Sequence, residues 1–404
     1  MSPAPSTPPR LSLWHYLVIF SLFFISGWLF LTWFQGIFPD NYWPLGVDVY
    51  PRWSGTRAFW QGASPYSAAV DSVTQRFVYG RLAFPGEDTF GYYYPAYASV
   101  VLAPLALLPA ATAAVLWPAL MWAVLGVTAV ATIELLPNRP KPLTWAALLL
   151  SIFLFRPALL TIFNGQYGLF IVAMWGLSWL LIRQERDGWA GLLLALATIK
   201  PSLGVVPALL LMLWALMRKR KKLVISFVTT MCMLLAISFI QIGWWLPDFL
   251  AELSEYNRDL GHWKPADVLT LPGIIWLIEA VALTFLGFRQ ALVAKRDFPA
   301  MLFWGGLFLN MVLTPHTAEY DLVVVLLPLI GHIPEFSKVR WGRGGLILLL
   351  WLYWLAWLIW WKVLGYPSEL WLRAAWMFYP QVILAVLLGT AVSQYNSPPV
   401  PVRD

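Results

Sequence analysis

The sequence predicts an all-α polytopic membrane protein, and three observations support this fold class. Roughly a dozen apolar stretches run through the 404 residues, of which 60% are hydrophobic and only 12% are charged. The mean hydropathy is +0.68, and the chain contains 26 tryptophans. A soluble domain of this size has too small an interior to bury so much apolar surface. A transmembrane helix, in contrast, needs about 20 mostly apolar residues, and several stretches approach that length.

Composition also predicts the domain boundaries. Residues 1–13 begin with a Pro/Ser-rich stretch and are predicted to be a disordered cytoplasmic tail, with a second cytoplasmic tail at residues 393–404. Residues 14–392 are predicted to form a single transmembrane domain, because no polar stretch is long enough to fold independently. The longest polar stretch, residues 35–93, is the predicted first extracytoplasmic loop, and we expect it to contain short amphipathic helices.

The predicted bundle has about 12 transmembrane helices. The candidate passes are residues 14–34, 94–109, 112–135, 143–163, 166–182, 189–217, 223–242, 272–288, 299–314, 322–334, 346–361 and 375–392. With the N-terminus inside, this count puts the basic segments Arg218–Lys222, Arg289–Arg296 and Lys338–Arg343 inside, as the positive-inside rule expects. It puts Arg139 and Lys141 outside, which counts against it.

The segment 189–217 allows two interpretations, because Lys200-Pro201 interrupts it near the middle. One pass of 29 residues preserves the count, whereas a hairpin of two short passes fits the charges at 183–187 better but changes the parity. The net charge of +7 does not indicate nucleic-acid binding, since its main cluster directly follows an apolar run. Membrane lipids, anionic ones included, are the expected partners of that cluster.

One acidic side chain lies early in the predicted outer loop. Asp48 stands in the segment GVDVYPRW, which begins at Gly46 and contains Arg52. It is either a solvated loop acid beside interfacial aromatic residues or a lone carboxylate that acts as general base at a membrane-embedded reaction centre.

Two cations lie inside apolar runs, where insertion costs about 2.5–3.5 kcal/mol at the membrane centre unless the charge is paired or hydrated. Arg156 either snorkels to the interface or has a partner. Lys200 either has a structural partner such as Glu134 or is a phosphate ligand. His316, in the later segment TPHTAEYD, is either an interfacial histidine or a group that binds phosphate or sugar, or assists proton transfer. No metal-ligand spacing and no phosphate-binding glycine motif occurs, so no cofactor is predicted.

An ordered set of motifs resembles a known family. Asp48 is followed by A-x-x-x-G-x-x-P-Y at 58–66, Y-x-P at 93–95, N-G-Q at 164–166, A-G-x5-A-x-x-K-P at 190–201 and T-P-H at 314–316. This set is similar to glycosyltransferase family 87, whose members are GT-C-fold mannosyltransferases that use polyprenyl-phosphate-mannose. The resemblance spans most of residues 40–330. The chain departs from the family pattern at Val49, where an aromatic or a different hydrophobic residue is usual.

The resemblance implies roles for individual residues. Asp48 would be the catalytic base that deprotonates the acceptor hydroxyl. Lys200, and His316 with Arg52 or Arg57, would hold the phosphate of the lipid donor. Tyr66 and Tyr93, which lie in two of the motifs, complete the expected substrate-binding set. Gln166 has no clear role, because the twelve-pass count places it on the inner face and so argues against direct contact with the site.

The hypothesis that follows is a plasma-membrane hexosyltransferase with its active site on the extracytoplasmic face. It would move a hexose, by resemblance mannose, from a polyprenyl-phosphate donor to a lipid or glycan acceptor by an inverting single displacement. The alternatives are a transporter or flippase of lipid-linked sugars, a ligase that moves a whole lipid-linked glycan, and a membrane scaffold without an active site.

Overall fold

The fold is that of a computed structural model. It describes residues 11–37, 45–134, 141–259, 271–293, 300–314, 318–331 and 344–352, together with residues 354, 382, 383 and 386. Throughout these ranges the regular structure is helical, with no strand, in agreement with the predicted all-α class.

The first half of the chain contains ten helices within the described ranges. They are α1 (Leu13–Ile37), α2 (Val49–Trp60), α3 (Ala68–Tyr79), α4 (Ala98–Val101), α5 (Ala103–Ala106), α6 (Ala110–Glu134), α7 (Pro142–Phe153), α8 (Arg156–Asn164), α9 (Gly168–Arg183) and α10 (Asp187–Leu196). Short helices α2 and α3 lie in the predicted outer loop, as the sequence suggests.

The second half continues with α11 (Pro201–Met217), α12 (Lys221–Ile242), α13 (Leu246–Asp259), α14 (Leu271–Val293), α15 (Ala300–Leu313) and α16 (Leu326–Gly331). Two 3₁₀ helices join these elements: Ala197–Ile199 extends α10, and Glu319–Val325 leads into α16. Residues 344–352 are helical as well.

Three helices in the described ranges are long and apolar enough to cross a membrane: α1, the segment Ala110–Ala131 of α6, and α12. The pair α7–α8, which bends by 48° where the two helices meet, would be a fourth such span. Helices α9, α10 with its 3₁₀ extension, α11 and Leu302–Leu313 are apolar but shorter. The exposed surfaces of α1 and α12 are mainly apolar, which suits contact with lipid.

The predicted pass 94–109 is not a membrane helix. It forms two four-residue helices, α4 and α5, which are separated at Leu102. Pro104 lies in the first turn of α5, and a proline cannot donate the backbone hydrogen bond that a continuous helix needs there. Helix α2 holds this segment through its indoles: Trp60 donates to the Ser99 carbonyl at 3.1 Å and Trp53 to the Leu108 carbonyl at 2.7 Å. The segment therefore packs with the predicted outer loop, and we call residues 45–109, which contain α2 to α5, the loop layer.

The segment 189–217 is a hairpin and not a single helix. Just before α12, Arg220 contacts Asp187 at the start of α10, with Nε 3.0 Å from Oδ2 and Nη2 2.7 Å from Oδ1. The start of α10 and the end of α11 are therefore neighbours, and Lys200 lies at the far turn between them. Of the two interpretations that the sequence allows, the hairpin is correct.

These contacts place the named segments at two ends of the helix bundle. The turn at Lys200, the end of α8, the start of α9 and the loop layer lie at one end, where Tyr97 of the loop donates to the Thr198 carbonyl at 2.8 Å. The basic residues at the end of α9 and between α11 and α12 lie at the opposite end. We call the first of these the site end and the second the basic end.

Asn310, buried near the end of α15, stabilises the start of α11. Its amide donates to the carbonyls of Pro201, at 3.2 Å, and Ser202, and its oxygen accepts from the Val206 N–H at 2.9 Å. The carbonyl of Ser202 and the N–H of Val206 are four residues apart, the spacing at which an α-helix pairs such groups, so the Asn310 side chain contacts both ends of one turn of α11. Asn310 thereby fixes the backbone that follows Lys200.

Replacing Asn310 with leucine should destabilise the fold, because it leaves buried backbone groups without partners. We expect the variant Asn310→Leu to lower the free energy of unfolding by about 1–3 kcal/mol, measured as a lower unfolding temperature in detergent. Leu313→Ala is the control, since Leu313 is an exposed residue of the same helix, and it should change stability little. An unchanged unfolding temperature in Asn310→Leu would contradict this role.

Candidate functional site

The loop that carries Asp48 is fixed to the end of α8 by two backbone hydrogen bonds. The Gly46 N–H donates to the Phe163 carbonyl at 2.7 Å, and the Asp48 N–H donates to the Asn164 carbonyl at 2.9 Å. Asp48 itself is the residue before α2. The first outer motif and the N-G-Q motif, more than 110 residues apart in sequence, therefore meet in space.

Two glycines permit this close approach. Gly165 ends α8 with φ +76°, and a Cβ there would lie 2.4 Å from Cγ2 of Val49. Gly46 has φ +68°, and a Cβ there would lie 2.3 Å from the Ala114 carbonyl oxygen of α6. Both positions need glycine, because the left-handed conformation and the short distances exclude a side chain. Gly46 and Gly165 thus allow the Asp48 loop to pack closely against α6 and α8.

Gln166 links Asp48 to Arg52. Its Nε2 donates to Oδ2 of Asp48 at 2.6 Å, and its Oε1 accepts from Nη2 of Arg52 at 2.5 Å. Gln166 and Arg52 are both buried, whereas Asp48 is partly exposed. The prediction that Gln166 lies on the opposite face from Asp48 is therefore wrong. That prediction counted residues 94–109 as a transmembrane pass. The extra pass reversed the membrane side assigned to every loop between this segment and 189–217, including the loop that contains Gln166.

The Arg52 guanidinium is almost completely enclosed. It donates to the Gly165 carbonyl and to the Tyr94 hydroxyl at 2.5 Å, and it lies 4.2 Å from the centre of the Tyr167 ring. Its Nε is buried and has no hydrogen-bond partner among the described residues. A buried donor without a partner is costly, so a hydrogen-bond acceptor placed at this nitrogen would be stabilising.

Lys200 forms a buried ion pair. Its Nζ lies 2.5 Å from Oδ1 of Asp321, whose side chain is fully buried, and 4.8 Å from the centre of the Tyr320 ring. The other carboxylate oxygen of Asp321 accepts from the Ala318 N–H at 3.1 Å. The partner of Lys200 in the described structure is therefore Asp321, and the ion pair fixes the hairpin turn against the second 3₁₀ helix. The side chain of Glu134, the partner that the sequence suggested, lies outside the described residues.

Arg156 pairs in the same way with the same 3₁₀ helix. It begins α8 at the bend after α7 and contacts Glu319, with both side chains only 15% exposed. It also lies over the Trp354 ring, at 5.9 Å from the ring centre. Both cations that the sequence places in apolar runs thus lie at helix breaks, and each has an acidic partner in Glu319–Val325.

The electrostatic surroundings of Asp48 shift its ionisation. Removal from water raises the pKa of this carboxyl above its ordinary value, while the charge of Arg52, the Gln166 hydrogen bond and the charge of Lys200 lower it, and Asp321 adds to the increase. The increase prevails. A carboxyl with a raised pKa is a stronger proton acceptor than a solvated aspartate, which suits a general base.

A comparison with protein-family models identifies the family. The model of glycosyltransferase family 87 matches residues 92–315, which is more than half of the chain. This chain belongs to glycosyltransferase family 87. With its apolar helices it is a membrane glycosyltransferase, and a glycosyltransferase requires a sugar donor and an acceptor. Comparisons with curated proteins and with solved structures found no match.

The remaining predicted site residues of this glycosyltransferase differ in how close they lie to the buried cluster around Asp48. The Tyr66 hydroxyl donates to the Tyr94 carbonyl at 2.7 Å, and the Tyr93 hydroxyl lies 3.0 Å from Oγ1 of Thr89, with its ring 4.3 Å from that of Tyr256. Arg57 is exposed and lies over the Trp53 ring at 5.3 Å, apart from the buried cluster. His316 lies outside the described residues.

Acidic side chains of α3 and α13 lie close enough together to shift one another's pKa. Burial, with the neighbouring charge of Glu255, raises the pKa of Asp71 to about 7. Burial, with the charges of Asp71 and Glu255, raises the pKa of Glu252 to about 8. Among the residues searched, no group of three or more His, Cys, Asp and Glu side chains could hold a metal ion. The charge of Glu252 acts on Tyr66 and Tyr93, two of the predicted substrate-binding residues.

Sequence reasoning missed several residues of the cluster. Asp321 and Glu319 are the acids that neutralise Lys200 and Arg156, Tyr94 and Tyr167 enclose Arg52, and Gln166 contacts Asp48 directly. One signal was available, because two cations in apolar runs require acids, and TAEYD places two acids between apolar segments.

The Lys200–Asp321 pair predicts a specific pattern of stabilities. Removing one partner leaves a buried charge, so Lys200→Met and Asp321→Leu should each lower the free energy of unfolding by about 3–5 kcal/mol. The double variant removes both charges and should be more stable than either single variant. Thermal unfolding in detergent measures all three.

An exposed ion pair is the control for this cycle. In Arg81–Glu87 the arginine side chain is 38% exposed, and Glu87→Gln should leave the unfolding temperature almost unchanged, because solvent screens an exposed pair. If the losses in Lys200→Met and Asp321→Leu simply add in the double variant, the two side chains do not interact energetically.

Proposed function

We propose that this family 87 glycosyltransferase moves a hexose, by family resemblance mannose, from a polyprenyl-phosphate donor to the hydroxyl of a lipid or glycan acceptor. Asp48 is the general base of an inverting single displacement. The oxygen of the acceptor hydroxyl attacks the anomeric carbon, its proton passes to Asp48, and the bond to the donor phosphate oxygen breaks. The leaving group is the polyprenyl phosphate.

The state of Asp48 is the observation that carries this proposal. It is a partly exposed carboxylate with one oxygen held by Gln166 and a pKa that its surroundings raise. Its loop is fixed to α8 by backbone hydrogen bonds. An inverting displacement needs a single base held in place, and general-base catalysis of this kind contributes about 10²–10⁴-fold to the rate.

The donor phosphate requires positive charge where negative charge develops on the leaving oxygen. Arg52 offers its unpartnered Nε, and Lys200 lies close enough to Asp48 to affect its pKa. Lys200 is neutralised by Asp321 in this structure. Donor binding therefore requires the Lys200 ammonium group to donate one hydrogen bond to the Asp321 carboxylate and another to the phosphate. His316 follows α15 in sequence and is the remaining proposed phosphate ligand. Arg57, the alternative to Arg52 as a phosphate ligand, is exposed and apart from the cluster, so Arg52 is the preferred ligand of the two. Tyr66 and Tyr93 are proposed as further substrate contacts.

We further propose that the site end faces the extracytoplasmic side of the plasma membrane. The basic end carries Arg183, Arg186 and Arg218–Lys222, and the positive-inside rule assigns such clusters to the cytoplasm. Counting 189–217 as two passes and 94–109 as none preserves twelve passes in total. This revised count also moves the connection that contains Arg139 and Lys141 to the cytoplasmic side, so the contradiction in the charge pattern disappears.

Thiol labelling tests the orientation. The only cysteine, Cys232, is exposed on α12 and is first replaced by serine. In that background Ala63→Cys reports on the loop layer and Lys222→Cys on the basic end, since both positions are exposed. A membrane-impermeant maleimide should label position 63 in intact cells and position 222 only after permeabilisation. The reverse pattern would place the site in the cytoplasm.

Substitution of the base tests the reaction. Asp48→Asn should abolish sugar transfer by purified protein in detergent, with a loss of at least about 100-fold in kcat, while donor binding and unfolding temperature stay near wild type.

In the wild-type enzyme, activity should fall as pH decreases through the pKa of Asp48, because only the carboxylate accepts a proton. Since that pKa is raised, the loss should begin above the pH expected for an ordinary aspartate.

The control for the pH profile is Glu252→Gln, which removes the neighbour that titrates near pH 8. The acidic limb that belongs to Asp48 should persist in this variant. Full activity of Asp48→Asn with a polyprenyl-phosphate-mannose donor would remove Asp48 from the mechanism.

The same preparation separates the remaining functional hypotheses. A transporter or flippase of lipid-linked sugars needs two compartments and would transfer nothing in detergent. A glycan ligase would accept pyrophosphate-linked oligosaccharide in place of the monosaccharide-phosphate lipid, and a scaffold would be inactive with both. Transfer from the monosaccharide-phosphate donor alone supports the proposal.

A further inference from the structure

We infer that Gln166 is the positioning residue of the reaction: it holds Oδ2 of Asp48 and directs the other oxygen of that carboxylate to the acceptor hydroxyl. This inference rests on the proposed function, since it assigns the residue that orients the proposed base. It goes beyond the family resemblance, which gives Gln166 no role.

The two oxygens of Asp48 are not equivalent. Oδ2 accepts from Nε2 of Gln166 at 2.6 Å, whereas Oδ1 accepts no hydrogen bond from any residue in the described part of the chain. Asp48 is partly exposed, unlike the buried Gln166 and Arg52, so Oδ1 is the oxygen that an incoming hydroxyl can reach. A carboxylate held at one oxygen has its other oxygen in a defined direction, and a defined direction is what proton abstraction requires.

The orientation of the Gln166 amide follows from the chemistry of its neighbours. An arginine side chain has donors only, so the Arg52 nitrogen at 2.5 Å must face the amide oxygen. The NH₂ group is then directed at Asp48. The Gln166 backbone is fixed too, because its N–H donates to the Thr161 carbonyl at 2.8 Å and its carbonyl accepts from the Trp117 indole at 3.4 Å. Arg52 therefore fixes the amide, and the amide fixes the base.

Alternative neighbours do not provide this contact. The charged or titratable groups that influence Asp48 are Arg52, Lys200, Asp321, Tyr94, Tyr256 and Tyr320. Arg52 and Lys200 have their closest partners elsewhere, at Gln166, Gly165 and Asp321. The hydrogen bond from Gln166 is thus the direct side-chain contact to Asp48 in the described structure, and losing it disfavours the ionised carboxylate.

Two variants of Gln166 test the inference, each assayed for transfer from polyprenyl-phosphate-mannose across a range of pH. Gln166→Met preserves side-chain length but removes the hydrogen bond, so kcat should fall about tenfold or more and the acidic limb of kcat/KM should move to higher pH. Gln166→Glu keeps an acceptor for Arg52 but adds a second carboxyl beside Asp48. Like charges raise the pKa of one member of such a pair, so its acidic limb should move further than that of Gln166→Met.

A second buried glutamine provides the matched control. Gln75 of α3 is buried and also uses both ends of its amide, donating to the Thr89 carbonyl at 3.0 Å and accepting from the Ala83 N–H at 2.9 Å. Gln75→Met should lower the unfolding temperature without moving the acidic limb. The KM for the donor should stay near wild type in both Gln166 variants, because Gln166 is buried behind the base.

The outcomes separate this inference from the proposed function. If Asp48→Asn is inactive but Gln166→Met retains the wild-type pH profile and kcat, the inference is wrong and the proposed base stands. If Gln166→Met raises KM for the donor and leaves the pH profile unchanged, Gln166 acts on the donor and not on Asp48. If Asp48→Asn is active, Asp48 is not the base, and the inference about Gln166 falls together with the proposed function. In case Gln166→Met unfolds, the nearly isosteric Gln166→Glu provides the pH measurement.

Discussion

The need to neutralise cations inside an apolar bundle determines how this structure is assembled. Lys200 and Arg156 stand at helix breaks, one at the turn of the α10–α11 hairpin and the other at the bend between α7 and α8. Asp321 and Glu319, two residues apart in one 3₁₀ helix, supply both counter-charges. An unpaired charge at this depth is costly, so the ion pairs fix the segment after α15 against two separate helix breaks. The site is located where these segments meet.

In the same cluster, most polar groups hold the structure together through hydrogen bonds, whereas Asp48 has an oxygen that makes none. Backbone hydrogen bonds hold the Asp48 loop to the end of α8, and two glycines permit the approach. Arg52 is largely occupied with structural partners, namely a carbonyl, a tyrosine hydroxyl and an amide. Asp48 alone retains an oxygen without a partner and partial exposure. A carboxylate that is held at one oxygen and open at the other is the arrangement that the proposed general base requires.

Much of this arrangement could be predicted from sequence, and the failures have physical causes. Hydropathy predicted an all-α membrane protein, and the ordered motifs predicted the family that the comparison confirmed. Pass 94–109 was wrong because hydropathy does not distinguish an apolar membrane helix from an apolar segment that packs on loop tryptophans. Since topology alternates along the chain, this one error moved Gln166 to the wrong face. The partner of Lys200 lies 121 residues away, and a single sequence carries no record of such long-range pairing.

The ion pair at Lys200 has a consequence for the energetics of substrate entry. Within the described cluster, Asp48 and Asp321 balance Arg52 and Lys200, so the formal charges of these four side chains sum to zero. The proposed phosphodiester donor would add one negative charge in excess to this balanced set. Uptake of a proton by one carboxyl would restore neutrality, so binding of the proposed anionic donor would be coupled to pH.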